Sequence, residues 1–309
     1  MKTSRKDPFD LVFSAVTAGA SWVVLLLVAA IFIVLLIESL PSIREFGFTG
    51  FVLSSDWNPV EESFGALPSI YGTAVTTVLS LVMAVPVALG IAVFTTEIAP
   101  SFLKGLIGTA VELLAAIPSI IYGMWGLFTL APIMGDYIEP VLQEWLGGLP
   151  VAGALFEGTP IGVDLLTASL ILSIMIIPFT ASLSRDAFLL TPSVVKESAY
   201  ALGATRWEVI RSVVIPHARL GIFGGVVLSL GRALGETMAV AFVLGSNHEI
   251  TSSLLDAAAT ITVTLANEFT EADTDLYLSA LYHLALILFV MSFAVLAAAK
   301  FFLLRAARK

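Results

Sequence analysis

The sequence predicts an all-α, polytopic membrane protein with six transmembrane helices, on three observations. Of 309 residues, 58% are hydrophobic and only 13% charged, whereas soluble domains carry roughly 25% charged residues. Six segments are long and apolar enough to cross a hydrocarbon core, which takes about 20 residues. All but two of the 15 Lys and Arg residues fall at ends and connections on one side of those segments.

The first span, residues 11–37, is uncharged and follows a basic start with Lys2, Arg5 and Lys6. A cleaved signal peptide begins similarly, but its apolar region runs only about 7–15 residues. Here residues 22–37 alone are an unbroken apolar block, so an uncleaved anchor is expected. Span two, residues 65–96, is also uncharged. Span three, residues 105–131, holds Glu112, about 10 Å in at ~1.5 Å per residue. That position suits a candidate gate residue or a cap on a neighbouring helix. Pro118 is expected to kink this span near its middle, with neighbouring helices satisfying the freed carbonyl. Residues 136–146 predict a short amphipathic helix on the outer surface. Span four is 165–184, span five 220–247 and span six 276–299. Trp57, Trp125 and Trp145 lie near span ends, as an interfacial belt requires, and Trp207 belongs to a loop.

Orientation follows from the cations. Lys104, the loop residues Arg185, Lys196, Arg206, Arg211 and Arg219, and the terminal Lys300, Arg305, Arg308 and Lys309 join the N-terminal cations on one side. That side reads as cytoplasmic, with both termini inside. Arg44 alone lies opposite, and Arg232 lies within span five. Acidic residues collect outside: Glu61, Glu62, Asp136, Glu139, Glu144 and those from Glu249 to Asp275. The net charge of −9 is thus an outer-face property, read as a solvated surface, and it argues against nucleic-acid binding. The chain divides into residues 1–69 (tail, anchor and first outer loop), a core transmembrane domain 70–303 with a cytoplasmic loop 185–219, and a tail 304–309.

The loop 185–219 is built as helix, glycine, helix rather than as a plain tether. Thr191 can cap a helix starting at Pro192, Gly203 suits a left-handed stop, and Thr205 with Glu208 has capping-box spacing. The second helix is expected to end at Pro216. With no cysteine, the chain has no thiol catalysis or disulfides. It has no G-x-x-x-x-G-K-[ST] phosphate cradle, and His217, His248 and His283 form no metal motif. No span holds both Ser and His near its centre, which argues against an intramembrane hydrolase. Any driving energy comes from a partner, and co-purification with an ATPase separates a transporter from a receptor or scaffold.

Span five contains GRALGETMAV, residues 231–240. An ionisable residue at the bilayer centre costs about 2.5–3.5 kcal/mol on insertion scales. Arg232 is expected about 18 Å along the helix from Leu220, with Glu236 one turn further. One reading is an intrahelical salt bridge, though Arg before Glu is the poorer order. The other is an anion path, because guanidinium donors match tetrahedral oxyanions. Glu236 would then hold Arg232 while the path is empty. Gly221, Gly225, Gly231 and Gly235 would admit a close helix neighbour.

Glu197, Ser198, Ala199, Gly203, Val213, Ile215 and Pro216 match the pattern E-A-A-x3-G-x9-I-x-L-P, with Ser198 and Ile215 as mild departures. The chain resembles ABC-importer permeases, type I. GRALGETMAVAFVLG, ELLAAIPSIIYGMWGLF and LANEFTEA narrow the resemblance to the phosphate-specific members, over most of residues 72–300. The resemblance implies that Glu197 and Gly203 sit in a loop docked on an ATPase. It implies a PstA-like second permease subunit, two PstB-like subunits that bind the ATP and Mg, and an external PstS-like phosphate-binding protein. It places the chain in the bacterial inner membrane, importing inorganic phosphate, with no cofactor of its own. One arginine does not balance hydrogen phosphate, so a second cation is expected from the sister subunit. A permease for phosphonate, molybdate or sulfate, or the sister subunit itself, are the competing assignments.

Overall fold

A computed structural model describes residues 8–150 and 153–307. Lys2, Arg5, Lys6, Arg308 and Lys309, which entered the orientation argument, lie outside the described residues. Helix α1 (Pro8–Glu38) leads into short α2 (Leu40–Phe46) and α3 (Phe48–Leu53) and a hairpin pairing Trp57 with Phe64. Then come α4 (Leu67–Val93), α5 (Ser101–Ala116), α6 (Ser119–Trp125), α7 (Ala131–Ile133) and α8 (Glu139–Leu146). The axial helix α9 (Leu165–Leu189) is followed by α10 (Ser193–Ala201), α11 (Arg206–Val209), α12 (Ile215–Leu234), α13 (Met238–Ala241), α14 (Ile261–Glu268) and α15 (Asp275–Ala307). Among the described residues, five helical stretches are long and apolar enough to span a membrane, and α5 with the stretch from Ser119 to Leu146 forms a bent sixth.

Burial ranks these helices. The most apolar window of α9 is 67% buried, against 0% for α1. Helices α4, α5 and α12 pack around α9, while α1 leans chiefly on α15 and α2. Leu165, Ile171, Met175 and Ile176 of α9 join Val240, Val243 and Leu244 in the main core. Phe51, Phe64, Tyr277 and Leu281 form a second core at the acid-rich end, which binds the hairpin to α15.

Four expectations change. Pro118 does not kink span three but breaks it, and the two halves meet at 91°. Ile117 and Pro118 are both extended, because a proline drives its predecessor out of the helical region. Span five is displaced: its helix runs unbroken from Arg206 to Leu234 rather than over 220–247. Pro216 does not stop the loop's second helix, because the π-turn Ile210–Val214 just ahead absorbs the ring and the missing N–H. Thr191 is not a cap: α10 begins after Pro192, and the Thr191 hydroxyl is buried without a hydrogen-bond partner.

Other local signals hold. Gly203 has φ +88° and turns the chain after α10. Thr205 and Glu208 form the reciprocal capping box, with Thr205 N–H donating to Glu208 Oε2 at 2.7 Å. The amphipathic segment 136–146 resolves as a π-turn followed by α8.

Candidate functional site: a mid-depth arginine and an exposed loop

The seam between α9 and α12 positions Arg232. A Cβ on Gly221 would sit 2.4 Å from the Ala187 side chain, so the two helices touch backbone to side chain there. Climbing from that contact, Gly225 faces Leu183 and the Ser229 hydroxyl pairs with Thr180 at 2.6 Å. One turn further, the Arg232 guanidinium lies over the Phe179 ring, 4.3 Å from its centroid. Phe179 is about 21 Å from the Leu165 end of α9 and about 15 Å from the Leu189 end at ~1.5 Å per residue. Arg232 is therefore near mid-depth, although its helix begins and ends elsewhere than the hydropathy suggested.

The expected Arg232–Glu236 pair does not form. Helix α12 ends at Leu234, so the one-turn spacing that would join the two side chains no longer applies. Glu236 instead accepts the Ala239 N–H at 3.2 Å and starts α13. Among the described residues no carboxylate pairs with Arg232, and its Nε is buried without a hydrogen-bond partner. The half-buried guanidinium is held by an aromatic face alone, a contact worth about 0.5–2 kcal/mol. Nearby in the chain's core, the Tyr122 hydroxyl donates to Leu114 O at 2.9 Å. In-plane donors on a cation without a counter-charge can take an oxyanion edge-on.

A second region gathers the loop residues. Glu197 and Gly203 are exposed and Ala199 is half-buried against α11 and its neighbours, while Pro216 is exposed on the continuous helix. Around them Leu190, Val194, Leu202 and Trp207 expose apolar side chains, Leu202 by 90%. Such a patch marks an interaction surface. Glu112 lies away from Arg232: it is 61% exposed and 3.4 Å from Arg185 Nη2, joining α5 to the basic end of α9.

Sequence reasoning missed several polar groups because their partners are distant in the chain. Glu139, expected on a solvated surface, is fully buried with Asp164. Gly162 N–H donates to Glu139 Oε2 at 3.2 Å, and Thr167 N–H donates to Asp164 Oδ1 at 2.8 Å. Burial pushes the Asp164 carboxyl up, against the opposing hydrogen bonds from Glu139 and Thr167. Glu268 accepts Trp57 Nε1–H at 2.8 Å and Tyr277 O–H at 2.6 Å, with His248 Nε2 at 3.0 Å. Burial alone would raise its pKa, but those bonds outweigh burial and hold the carboxyl below its ordinary range. His283 stacks on Phe51 and meets the Ser42 hydroxyl at 3.1 Å, a Ser–His contact sealed from solvent on both sides.

Comparison with known proteins gives the family. Residues 63–307 match the model of binding-protein-dependent transport system inner membrane components. The chain is 52% identical, over 96% of its length and 90% of the relative's, to a Mesorhizobium japonicum protein named phosphate transport system permease protein PstC. A Xylella fastidiosa protein of the same name is 54% identical over 84% of this chain and 80% of its own. The backbone resembles a bacterial ABC transporter involved in alginate import, with a TM-score of 0.62 at 18% identity, over 96% and 95% of the two chains. It also resembles the inward-facing MetNI methionine ABC transporter, at TM-score 0.58 and 18% identity over 77% and 94%. With the family model matched over residues 63–307 and relatives more than 50% identical, the chain belongs to the family of binding-protein-dependent transport system inner membrane components.

Proposed function

We propose that this chain is the PstC-type permease subunit of an ATP-driven importer of inorganic phosphate. The observation that carries the reading is a guanidinium at mid-depth, stacked on Phe179 and paired with no carboxylate among the described residues. The names of the relatives supply phosphate as the anion.

In this reading the basic end is cytoplasmic and the acid-rich end faces outward. A PstA-like subunit packs beside the chain and contributes the second cation that hydrogen phosphate requires. Two PstB-like ATPases bind ATP and Mg and grip the exposed α10 surface through Glu197, Ala199 and Gly203. A PstS-like protein delivers phosphate, because an acidic outer face does not attract a bare anion. Arg232 meets the anion during passage, and Glu236 sets the helix break beside it instead of neutralising it. Glu112 and Arg185 lie at the cytoplasmic mouth, where a gate would close.

The test is the complete complex in proteoliposomes. Phosphate-loaded binding protein should stimulate ATP hydrolysis and drive labelled phosphate inward, and excess sulfate or molybdate should not compete. Equal competition by those anions, or hydrolysis indifferent to the loaded binding protein, would overturn the assignment.

A further inference from the structure

The cytoplasmic loop is joined to span two by a contact that neither the loop motif nor the anion path uses. Lys196 Nζ lies 2.5 Å from Glu97 Oε1, and the two side chains are only 21% and 10% exposed. They stand 99 residues apart, Lys196 on α10 and Glu97 in the π-turn Phe94–Ile98 that ends the α4 stretch. The same turn is held from the other side, where Lys104 Nζ donates to Thr96 O. Beneath the ion pair an apolar cluster joins Ala92 of the α4 stretch, Phe188 of α9 and Val209 and Val214 of the loop helix.

These two kinds of contact transmit force differently. Apolar side chains packed face to face resist separation but slide at little cost, since their attraction has no direction. A short, mostly buried ion pair has both direction and length, and exposure too low for water to replace either partner cheaply. Helix α10 also packs on α11 and on the π-turn that continues into α12, with Ala199 set against the apolar cluster, and it follows α9 in the chain. The pair adds an ionic tie into α4, which packs along α9 and also touches α12, the helix that carries Arg232.

We propose that Glu97 and Lys196 are positioning residues that form a coupling pin, carrying displacement of α10 directly into span two. This rests on the reading that a cytoplasmic ATPase grips α10. When α10 is drawn toward the ATPase, the pin moves the cytoplasmic end of α4 with it, so the α4–α9–α12 seam shifts as one body. Without the pin, α10 moves while α4 lags, and ATP is hydrolysed with little transport.

The readout is phosphate imported per ATP hydrolysed by the reconstituted complex with its loaded binding protein. Glu97→Gln and Lys196→Gln should each assemble and hydrolyse ATP, with that ratio falling about fivefold or more, within the usual range of coupling energies. The exchanged pair Glu97→Lys with Lys196→Glu should recover most of it. The chain has no cysteine, so Glu97→Cys with Lys196→Cys offers a second route: a bifunctional thiol linker should raise the ratio over the unlinked protein. Single variants with the wild-type ratio, or a linker that changes nothing, would overturn the pin. A wild-type complex whose hydrolysis ignores phosphate would instead overturn the underlying reading, so the two failures are distinguishable.

Discussion

Arg232 and the Glu139–Asp164 pair are ionisable groups set in an apolar protein, and they are treated in opposite ways. The two carboxyls are fully buried, share hydrogen bonds with Gly162 and Thr167, and hold the start of α9 against α8. Arg232 is half-buried, rests on one ring and lacks both a counter-charge and a partner for its Nε among the described residues. Burying an ionisable group costs free energy in either place. At the acidic pair that cost is offset by local bonds, so the pair serves structure. At Arg232 only the Phe179 ring offsets it in this conformation, which is what the proposed anion path requires and a tie between loops does not.

Mutations can break that contrast, and the largest effect should come from Arg232. Arg232→Gln should lower phosphate uptake by about 100-fold or more, since charge-assisted hydrogen bonds are worth about 1.5–3 kcal/mol each. Assembly with the other subunits and thermal stability should stay near wild type. Asp164→Ala should do the reverse. It removes the α9 cap and leaves Glu139 buried without its partner, so about 1–3 kcal/mol of stability should be lost. Thermal unfolding of the purified complex measures this, and uptake per assembled complex should remain within about twofold of wild type.

Phe179→Leu keeps apolar volume and removes the ring face, so uptake should fall by about 2–30-fold, the range of a cation–π contact. Phe179→Tyr should restore most of it. Were leucine as good as tyrosine, the ring would be packing only. The smallest effects are in pH. The Asp164 carboxyl is raised, so its contribution is fully present below the ordinary aspartate range of about 3.9 and is lost as pH rises through its folded value. Glu268 is lowered, so its contribution is present above about 4.3 and is lost as pH falls through its folded value. Hydrogen exchange should therefore loosen the start of α9 toward alkaline pH and the Trp57–Glu268–Tyr277 contact toward acid. Asp164→Asn combined with Glu139→Gln should flatten the first response, since the two carboxyls titrate as a pair, and Glu268→Gln should flatten the second.

Hydropathy located the membrane-crossing material well, because lipid thickness imposes length and composition that a linear scan detects. Two local devices in the loop, the Gly203 turn and the Thr205 capping box, were equally readable, since each is complete within a few residues. The helix ends inside apolar stretches were not. The break at Ile117–Pro118 and the end of α12 at Leu234 change no average hydropathy, so the scan joins what the backbone divides. Contacts between distant segments left no local trace either. Glu139 with Asp164, Glu97 with Lys196 and Arg232 with Phe179 each require the folded register of two helices. Arg232 lies beside the middle of α9, at Phe179, although its own helix boundary differs from the one hydropathy suggested.

The most direct measurement uses Arg232→Cys in this cysteine-free chain. The complete complex is turned over with ATP and loaded binding protein and treated with water-soluble thiol reagents carrying a positive or a negative charge. The account predicts that residue 232 reacts during turnover, that phosphate slows the reaction, and that the cationic adduct alone recovers uptake. A cysteine that no aqueous reagent reaches in any state, or recovery independent of the adduct's charge, would contradict it.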